Sequence, residues 1–252
     1  MSGGQGDLRN RVALVTGGGT GLGRACALAL AARGATVAVN YSRSREAAEE
    51  TAGEIIAAGA RAIAVRADIG DRAAVTSMVG EIEQALGPVE LLVANAGITE
   101  YVPFAELDRL TVDLWERILR VNVIGSFLTV QAVVGGMQER GFGRIVIVSS
   151  NSAFGAGGSS IPYVVSKGAL VTLAQSLARP LAPDVQVNAV APGWMLTPWV
   201  EKHLPPEVAE ALRSDVTTAV DVEDVAELIV AVLSNGSITG QAIVVDRGET
   251  AF

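Results

Sequence analysis

What most constrains this chain is a repeated alternation. Short apolar runs recur at Val12–Val15, Thr36–Val39, Ala62–Val65, Leu91–Val93, Ile145–Val148, Val185–Val190 and Ala242–Val245, and stretches of helical character separate them. A continuous apolar run, rather than one alternating with polar residues, marks a strand buried on both faces. Strands of that kind lie parallel, and each crossover helix packs back on the sheet. The expected helices are Arg24–Arg33, Glu46–Ala58, Asp71 (as cap) to Leu86, Leu114–Val121, Gly125–Glu139, Tyr163 to about Ala182, Glu207–Arg213 and Val222–Leu233. Pro180 should kink or shorten the last turn of its helix, because it lacks a donor and clashes with the turn before it. No linker, repeat or charge block divides the 252 residues. The expectation is one doubly wound α/β domain, with residues 1–10 as a flexible tail and about 194–215 as a lid segment over the substrate.

Composition narrows the partners. Half the residues are hydrophobic but only 4% are aromatic, so Ala, Val, Leu and Ile must build the core. A net charge of −8 disfavours nucleic acid and anionic membrane. The single cysteine, Cys26, can form neither an intrachain disulfide nor a cysteine-based zinc cluster, which fits a reducing compartment; it reads as a small buried helix residue. The first ten residues lack an apolar h-region, and the run Ala25–Ala32, fenced by Arg24 and Arg33, is too short for a bilayer. A soluble, cytoplasmic protein without a metal is expected.

Two stretches carry chemistry. Thr16-Gly17-Gly18-Gly19-Thr20-Gly21-Leu22-Gly23 joins the first strand to the first helix, where a pyrophosphate meets backbone N–H groups and the positive end of a helix. Its spacing is G-x-x-x-G-x-G, not the usual G-x-G-x-x-G. Gly17 would allow a tight turn, and Gly21 and Gly23 close approach of phosphate and helix. The second stretch runs from Ser150 to Lys167. A hydroxyl closes the fifth strand, a glycine-rich loop follows, and a helix opens with Tyr163 and Lys167 four residues apart. That spacing puts both side chains on one helix face, where an ammonium can lower the pKa of a phenol. A tyrosine so placed can give or take a proton.

Taken together, these motifs resemble the short-chain dehydrogenase/reductase family nearly end to end, including its 3-oxoacyl-carrier-protein reductase-like members. Thr16, Gly17, Gly21 and Gly23 match its glycine pattern, and Asn95-Ala96-Gly97 its Asn-Ala-Gly. Asn122 matches its helix asparagine, Ser150 rather than Ser149 its catalytic serine, and Tyr163 and Lys167 its Tyr-x-x-x-Lys. Pro192-Gly193 and Thr197 match the segment that closes over the nicotinamide. The resemblance implies a Rossmann-type domain with a parallel seven-stranded sheet. It also implies an oxidoreductase moving a hydride between a nicotinamide and a carbonyl or secondary alcohol. Tyr163 is then the general acid/base, and Lys167 lowers its pKa and holds the ribose. Ser150 bonds the substrate oxygen, and Asn122 holds a proton-relay water. Relatives often pair the Gly125–Glu139 and Tyr163 helices, so a homotetramer or dimer is implied.

The end of the second strand, Asn40-Tyr41-Ser42-Arg43-Ser44, has no carboxylate to bind a ribose 2′-hydroxyl, whereas Arg43 and Ser42 can hold a 2′-phosphate. NADP(H) is favoured and NAD(H) is the alternative, since Thr20 stands where many NADP-using relatives carry arginine. Leu22, Asp68-Ile69 (resembling an adenine-contacting pair), Asn95 and Met195 complete the expected cofactor set. Ser152, Phe154, Trp194 and Trp199 should line a pocket for a hydrophobic or modest-sized carbonyl compound. Arg140 and Arg144 are available to dock an acidic carrier protein, but the acidic chain disfavours that use. His203, the only histidine, lies in a proline-flanked segment and reads as surface or pocket rim, not a hydrolase base. The ending Val245-Asp246-Arg247-Gly248 departs from the family's Asp-Gly-Gly, so the backbone there is expected to differ. A non-catalytic nucleotide-binding scaffold is the reading from another class, and the full set of Asn122, Ser150, Tyr163 and Lys167 speaks against it.

Overall fold

A computed structural model describes residues 8–155, 157–197, 200, 203–214 and 219–250. Its centre is a seven-stranded, wholly parallel sheet in the order β3-β2-β1-β4-β5-β6-β7. The strands are β1 (Val12–Val15), β2 (Thr36–Tyr41), β3 (Ala62–Arg66), β4 (Val89–Ala94), β5 (Gly143–Val148), β6 (Val185–Pro192) and β7 (Ala242–Val245). The helices are α1 (Gly21–Ala32), α2 (Arg45–Ala57), α3 (Arg72–Leu86), α4 (Val112–Leu119), α5 (Ser126–Glu139), α6 (Ile161–Leu181), α7 (Pro206–Ser214) and α8 (Val222–Ser234). This is the doubly wound, Rossmann-type arrangement. The strand order reverses between β1 and β4, and that switch point opens a crevice at the carboxyl ends of the strands.

The pleat divides the apolar residues between two cores. Ala13, Val15, Val37, Val39, Leu91 and Val93 face α1, α2 and α8, while Leu14, Ala38, Leu92, Ile145 and Ile147 face α3, α5 and α6. Successive strand residues point to opposite faces, so both faces need apolar side chains, and the runs read as continuous.

Several expectations need correction. Residues 8–10, expected in a tail, are packed: Leu8 is buried in the first core, and the Asn10 N–H donates to the Gly34 carbonyl. The two helical stretches before β5 are not separate. α4 and α5 are joined through a π-helical turn, Arg120–Gly125, into one 28-residue helix from Val112 to Glu139. That helix is long and apolar enough to cross a membrane by length and composition, which the run lengths did not anticipate. Its apolarity is accounted for by packing, since Leu128, Val130, Val133 and Met137 fill the second core. Pro180 does not cut α6 short, because it sits one residue from the end of the helix at Leu181, where little of the ladder is left to lose.

The departure at the C-terminal end is absorbed by strain. Arg247 adopts a left-handed backbone, φ +54°, which glycine takes without cost. Its guanidinium pairs with Asp221 at 2.9 Å.

Candidate active site

The glycine turn fills the mouth of the crevice. Gly17 and Gly21 have φ of +62° and +51°, so L side chains there would be strained. Gly23 is glycine for another reason: a Cβ would lie 2.1 Å from the Gly17 carbonyl oxygen and 2.7 Å from Asn95 Nδ2. Helix α1 therefore starts in direct backbone contact with the turn, three residues before the apolar pattern suggested. Thr20 is its N-cap but makes no side-chain cap hydrogen bond, and no acidic residue stands in the first turn. The helix N-terminus thus keeps donors and positive potential for an anion, so these residues fit a dinucleotide pyrophosphate. Leu22 is buried in the first core and anchors the helix rather than facing the crevice.

Across the crevice, Asn95 fixes the turn. Its Nδ2 donates to the carbonyls of Thr16 (2.9 Å) and Gly17 (3.3 Å), and its backbone N–H donates to Thr16 Oγ1 at 2.9 Å. Expected as a cofactor contact, the Asn95 side chain instead braces β4 to the turn. Thr16, from the glycine motif, and Asn40, which no motif singled out, do similar work. Thr16 Oγ1 also accepts from Ala96 N–H, and buried Asn40 accepts from Gly17 N–H while donating to the carbonyls of Val65 and Ala67. An amide inside an otherwise apolar strand was the available signal, since a buried amide must be bonded.

Ser150, Tyr163, Lys167 and Asn122 converge behind the turn. Ser150 lies two residues past the end of β5 and hydrogen-bonds the Tyr163 hydroxyl. Ser150 Oγ also donates to Ser152 Oγ at 3.1 Å and accepts from the Ser152 N–H. Lys167 lies one turn along α6 from Tyr163, its Nζ 5.5 Å from the centre of the phenol ring. That ammonium donates to the Val148 carbonyl at 3.1 Å. Ser149 Oγ donates to the Lys167 carbonyl and Ser166 Oγ to the Tyr163 carbonyl, so both are helix-anchoring residues.

Asn122 sits in the π turn, a local widening common at functional sites. The turn lets Gly125 meet Ile69, where a Cβ would be 2.8 Å from Cγ1. The Asn122 amide is fully engaged: Oδ1 accepts from Ile98 N–H at 2.8 Å, and Nδ2 donates to the Ile98 carbonyl and Ser166 Oγ. Its side chain is therefore a clamp between the Asn95–Ile98 loop and α6.

The electrostatics differ from the sequence expectation. Burial pushes the Tyr163 phenol up to about 12, and the Ser150 hydrogen bond only partly opposes it. Burial also lowers Lys167 to about 8. Desolvation outweighs the ammonium's pull on the phenol, because the cation points at the Val148 carbonyl. Lys167 binds its proton more weakly folded than unfolded, so it destabilises the fold wherever both states are protonated, below about pH 8. That cost falls as pH rises through about 8 and vanishes near about 10.5, above the unfolded value. Lys167→Met should therefore melt higher than the parent at pH 7, the gain being roughly 2 kcal/mol after losing the Val148 bond. The gap should close before about pH 10.5 and be reversed there, where only the lost Val148 bond remains; a constant gap across that range would show that Lys167 is not the titrating group.

The remaining expected residues divide. Ser42 and Arg43 are exposed just past β2, and Arg43 has no ion pair among the described residues, whereas Arg45 is taken by Glu49. Asp68 Oδ1 accepts from Gly70 N–H, capping its own turn, and the Ile69 side chain is core. Gly193 follows buried Pro192 and packs on Asp246, where a Cβ would be 2.9 Å from the Asp246 Cβ. Thr197 lies over Gly21, with its Cβ 3.6 Å from where a side chain would begin. Met195 and Phe154 pack partly against the two cores, and Trp194 is half-buried beside them. Trp199 lies outside the described residues.

The two arginines offered for carrier docking are misplaced for it. Arg144 begins β5 and is buried against the Phe142 ring, which Arg11 covers on its other side. Arg140 ends α5 and donates to the Val89 carbonyl at the start of β4. Both occupy the amino ends of the strands, opposite the crevice, because each precedes its strand's apolar core. Cys26 is buried and burial pushes its thiol up to about 12, so it is inert packing.

Comparison with known proteins agrees with this geometry. A family model described as short chain dehydrogenase matches residues 11–208. The chain is 40% identical over 242 residues to a Streptomyces violaceoruber protein named as ketoacyl reductase 2 of the granaticin polyketide synthase, covering 94% of this chain and 95% of that one. The crystal structure of levodione reductase superposes with a TM-score of 0.88 at 27% identity, covering 97% and 99% of the two chains. A short chain dehydrogenase from Burkholderia cenocepacia J2315, solved with NADP, superposes at 0.85 with 36% identity, covering 97% and 100%.

Proposed function

This chain belongs to the short-chain dehydrogenase family, and we propose that within it the protein is an NADP(H)-dependent reductase of hydrophobic ketones, with Tyr163 as general acid/base. Members of the family interconvert CH–OH and C=O groups, so the protein is an oxidoreductase of that class. The observation that carries the finer reading is the Ser150–Tyr163 hydroxyl pair at the closed end of the crevice, with Lys167 on the same helix face.

The bound nicotinamide would supply or accept the hydride; the protein's part is orientation and electrostatics. Gly17, Gly21 and the α1 N-terminus would hold the pyrophosphate. Pro192-Gly193 and Thr197 would lie over the nicotinamide, and Lys167 would reach the ribose. Ser150 would donate to the carbonyl oxygen and stabilise the charge that develops there. Tyr163 would give that oxygen its proton. A phenol held near 12 is fully protonated at neutral pH, which suits the reducing direction. Soluble dimers or tetramers through α5 and α6 remain the proposed assembly.

NADP(H) preference rests on Arg43, exposed and without an ion pair among the described residues, beside Ser42 where a 2′-phosphate would lie. Arg43→Ala should raise the Kd for NADPH by about tenfold or more and leave NADH almost unchanged, as loss of a charge-assisted bond requires. Titrating both cofactors by fluorescence decides it, and equal weakening of the two would sink the phosphate-reading role.

A second reading, reduction of 3-oxoacyl thioesters, is favoured by the 40% identity to a protein named as a ketoacyl reductase. The position of Arg140 and Arg144 counts against delivery by an acidic carrier. Comparing a free alicyclic ketone, an aromatic ketone and acetoacetyl-CoA separates the two, and the leading reading expects the free ketones to react faster.

A further inference from the structure

The turn after β7 reaches across the sheet end to the residue beside Ser150. Asp246 is only 6% exposed. Its Oδ1 accepts from Gly248 N–H at 3.1 Å, and its Oδ2 accepts from the Thr250 N–H at 2.9 Å and Thr250 Oγ1 at 2.6 Å. Asn151, immediately after Ser150, points its amide at this turn. Asn151 Nδ2 donates to Glu249 Oε2 at 2.9 Å and to Asp246 Oδ2 at 3.4 Å, and Asn151 Oδ1, 3.4 Å from Ser150 Oγ, is the alternative acceptor to Ser152 Oγ for the one Ser150 proton. At the far end of the same loop, a Cβ on Gly155 would be 3.5 Å from Thr250 Cγ2.

These contacts join segments that are not neighbours. Ser150 follows β5 and the Asp246 turn follows β7, with β6 between them. The segment leaving β6 is caught in the same contact, for Gly193 N–H donates to the Val245 carbonyl and Gly193 packs on Asp246. One amide and one carboxylate thus touch both the loop carrying Ser150 and the segment expected over the nicotinamide. Burial alone would raise the Asp246 pKa, yet its bonds from Thr250, Gly248 and Asn151 hold it below the ordinary value, so it stays ionised.

We propose that Asn151 is a positioning residue, which fastens the Ser150 hydroxyl to Asp246 and Glu249 and so sets its place relative to Tyr163 and the Gly193 segment. The inference rests on the oxidoreductase reading above. An asparagine suits the place because it offers two N–H donors toward two carboxylates and an acceptor toward Ser150. Aspartate would be nearly the same shape with the opposite electrostatics, setting a third carboxylate against Asp246 and Glu249.

The test uses the full chain with Asn151→Asp and Glu249→Gln, NADPH and an alicyclic ketone. Asn151→Asp should lower kcat at pH 8 by about tenfold to a hundredfold, the scale of a small misplacement. KM and the NADPH Kd should change little. Relative to the parent at each pH, which removes the titrations of Tyr163 and Lys167, its kcat should recover as pH falls, where the introduced carboxyl, disfavoured as an anion beside like charges, takes a proton and becomes a donor. Glu249→Gln keeps an acceptor and should retain most of the activity. Amide exchange read by mass spectrometry should quicken in residues 150–155 of Asn151→Asp while α1 stays protected. Unchanged exchange and parental kcat at every pH would overturn the proposal, as would a loss that merely follows a lowered melting temperature. Quickened exchange in a chain whose parent reduces no carbonyl would instead strike at the oxidoreductase reading and leave the brace standing.

Discussion

Tyr163→Phe is expected to lower kcat/KM for ketone reduction by about a hundredfold to ten-thousandfold, the range for loss of a general acid. NADPH affinity should stay close to that of the parent, because the ring that fills the site is retained. Stability should hardly fall, since Ser150, which hydrogen-bonds the phenol, keeps Ser152 and Asn151 as alternatives. Steady-state kinetics, fluorescence titration and a thermal melt together separate chemistry from binding and folding. A variant that kept full turnover would remove Tyr163 from the reaction.

The second large effect is structural. Gly23→Ala places a methyl 2.1 Å from the Gly17 carbonyl oxygen and 2.9 Å from its carbon. Neither side can yield cheaply: Gly17 is held at φ +62° with Asn95 bonded to its carbonyl, and α1 carries Leu22, Cys26, Ala27 and Leu30 into the first core. Overpacking of this kind costs about 3 kcal/mol or more. Shifting α1 also moves the donors offered to the pyrophosphate, so NADPH affinity should fall by at least about a hundredfold. Gly53→Ala, in open space on the exposed face of α2, is the control and should gain roughly 0.5–1 kcal/mol from helix propensity. Near-parental melting and NADPH binding in Gly23→Ala would mean that the turn does not hold the cofactor through α1.

The doubly wound sheet was legible because burial on both faces leaves an unmistakable apolar run at each strand. The strands grew at their ends in the structure, as β2 extends to Tyr41 and β3 to Arg66, where polar residues still bond in the ladder. The π turn was not legible. Arg120–Gly125 looks like a break between helices because Asn122 and Gly125 interrupt the pattern, yet Gly125 is there to admit Ile69 and Asn122 to clamp Ile98. Ser150, Tyr163 and Lys167 could be placed by spacing, since Tyr163 and Lys167 share one helix and Ser150 lies just past the strand before it. The pKa expectation failed because spacing along a helix says nothing about where an ammonium points or how dry its surroundings are. Asn40 and the Asn151–Asp246 contact depend on partners tens of residues away, and local pattern carries no trace of them. Arg140 and Arg144 misled for a related reason: a basic residue near the site in sequence can lie at the opposite end of its strand.

The most direct test of the central claim follows the hydride itself. The protein is incubated with an alicyclic ketone and NADPH deuterated at the transferable position of the nicotinamide, and the product is examined by mass spectrometry and NMR. The account predicts an alcohol carrying deuterium on the carbinol carbon in the parent, and the same product formed at least about a hundredfold more slowly in Tyr163→Phe. An alcohol without deuterium, or no alcohol from any ketone although NADPH binds, would contradict it.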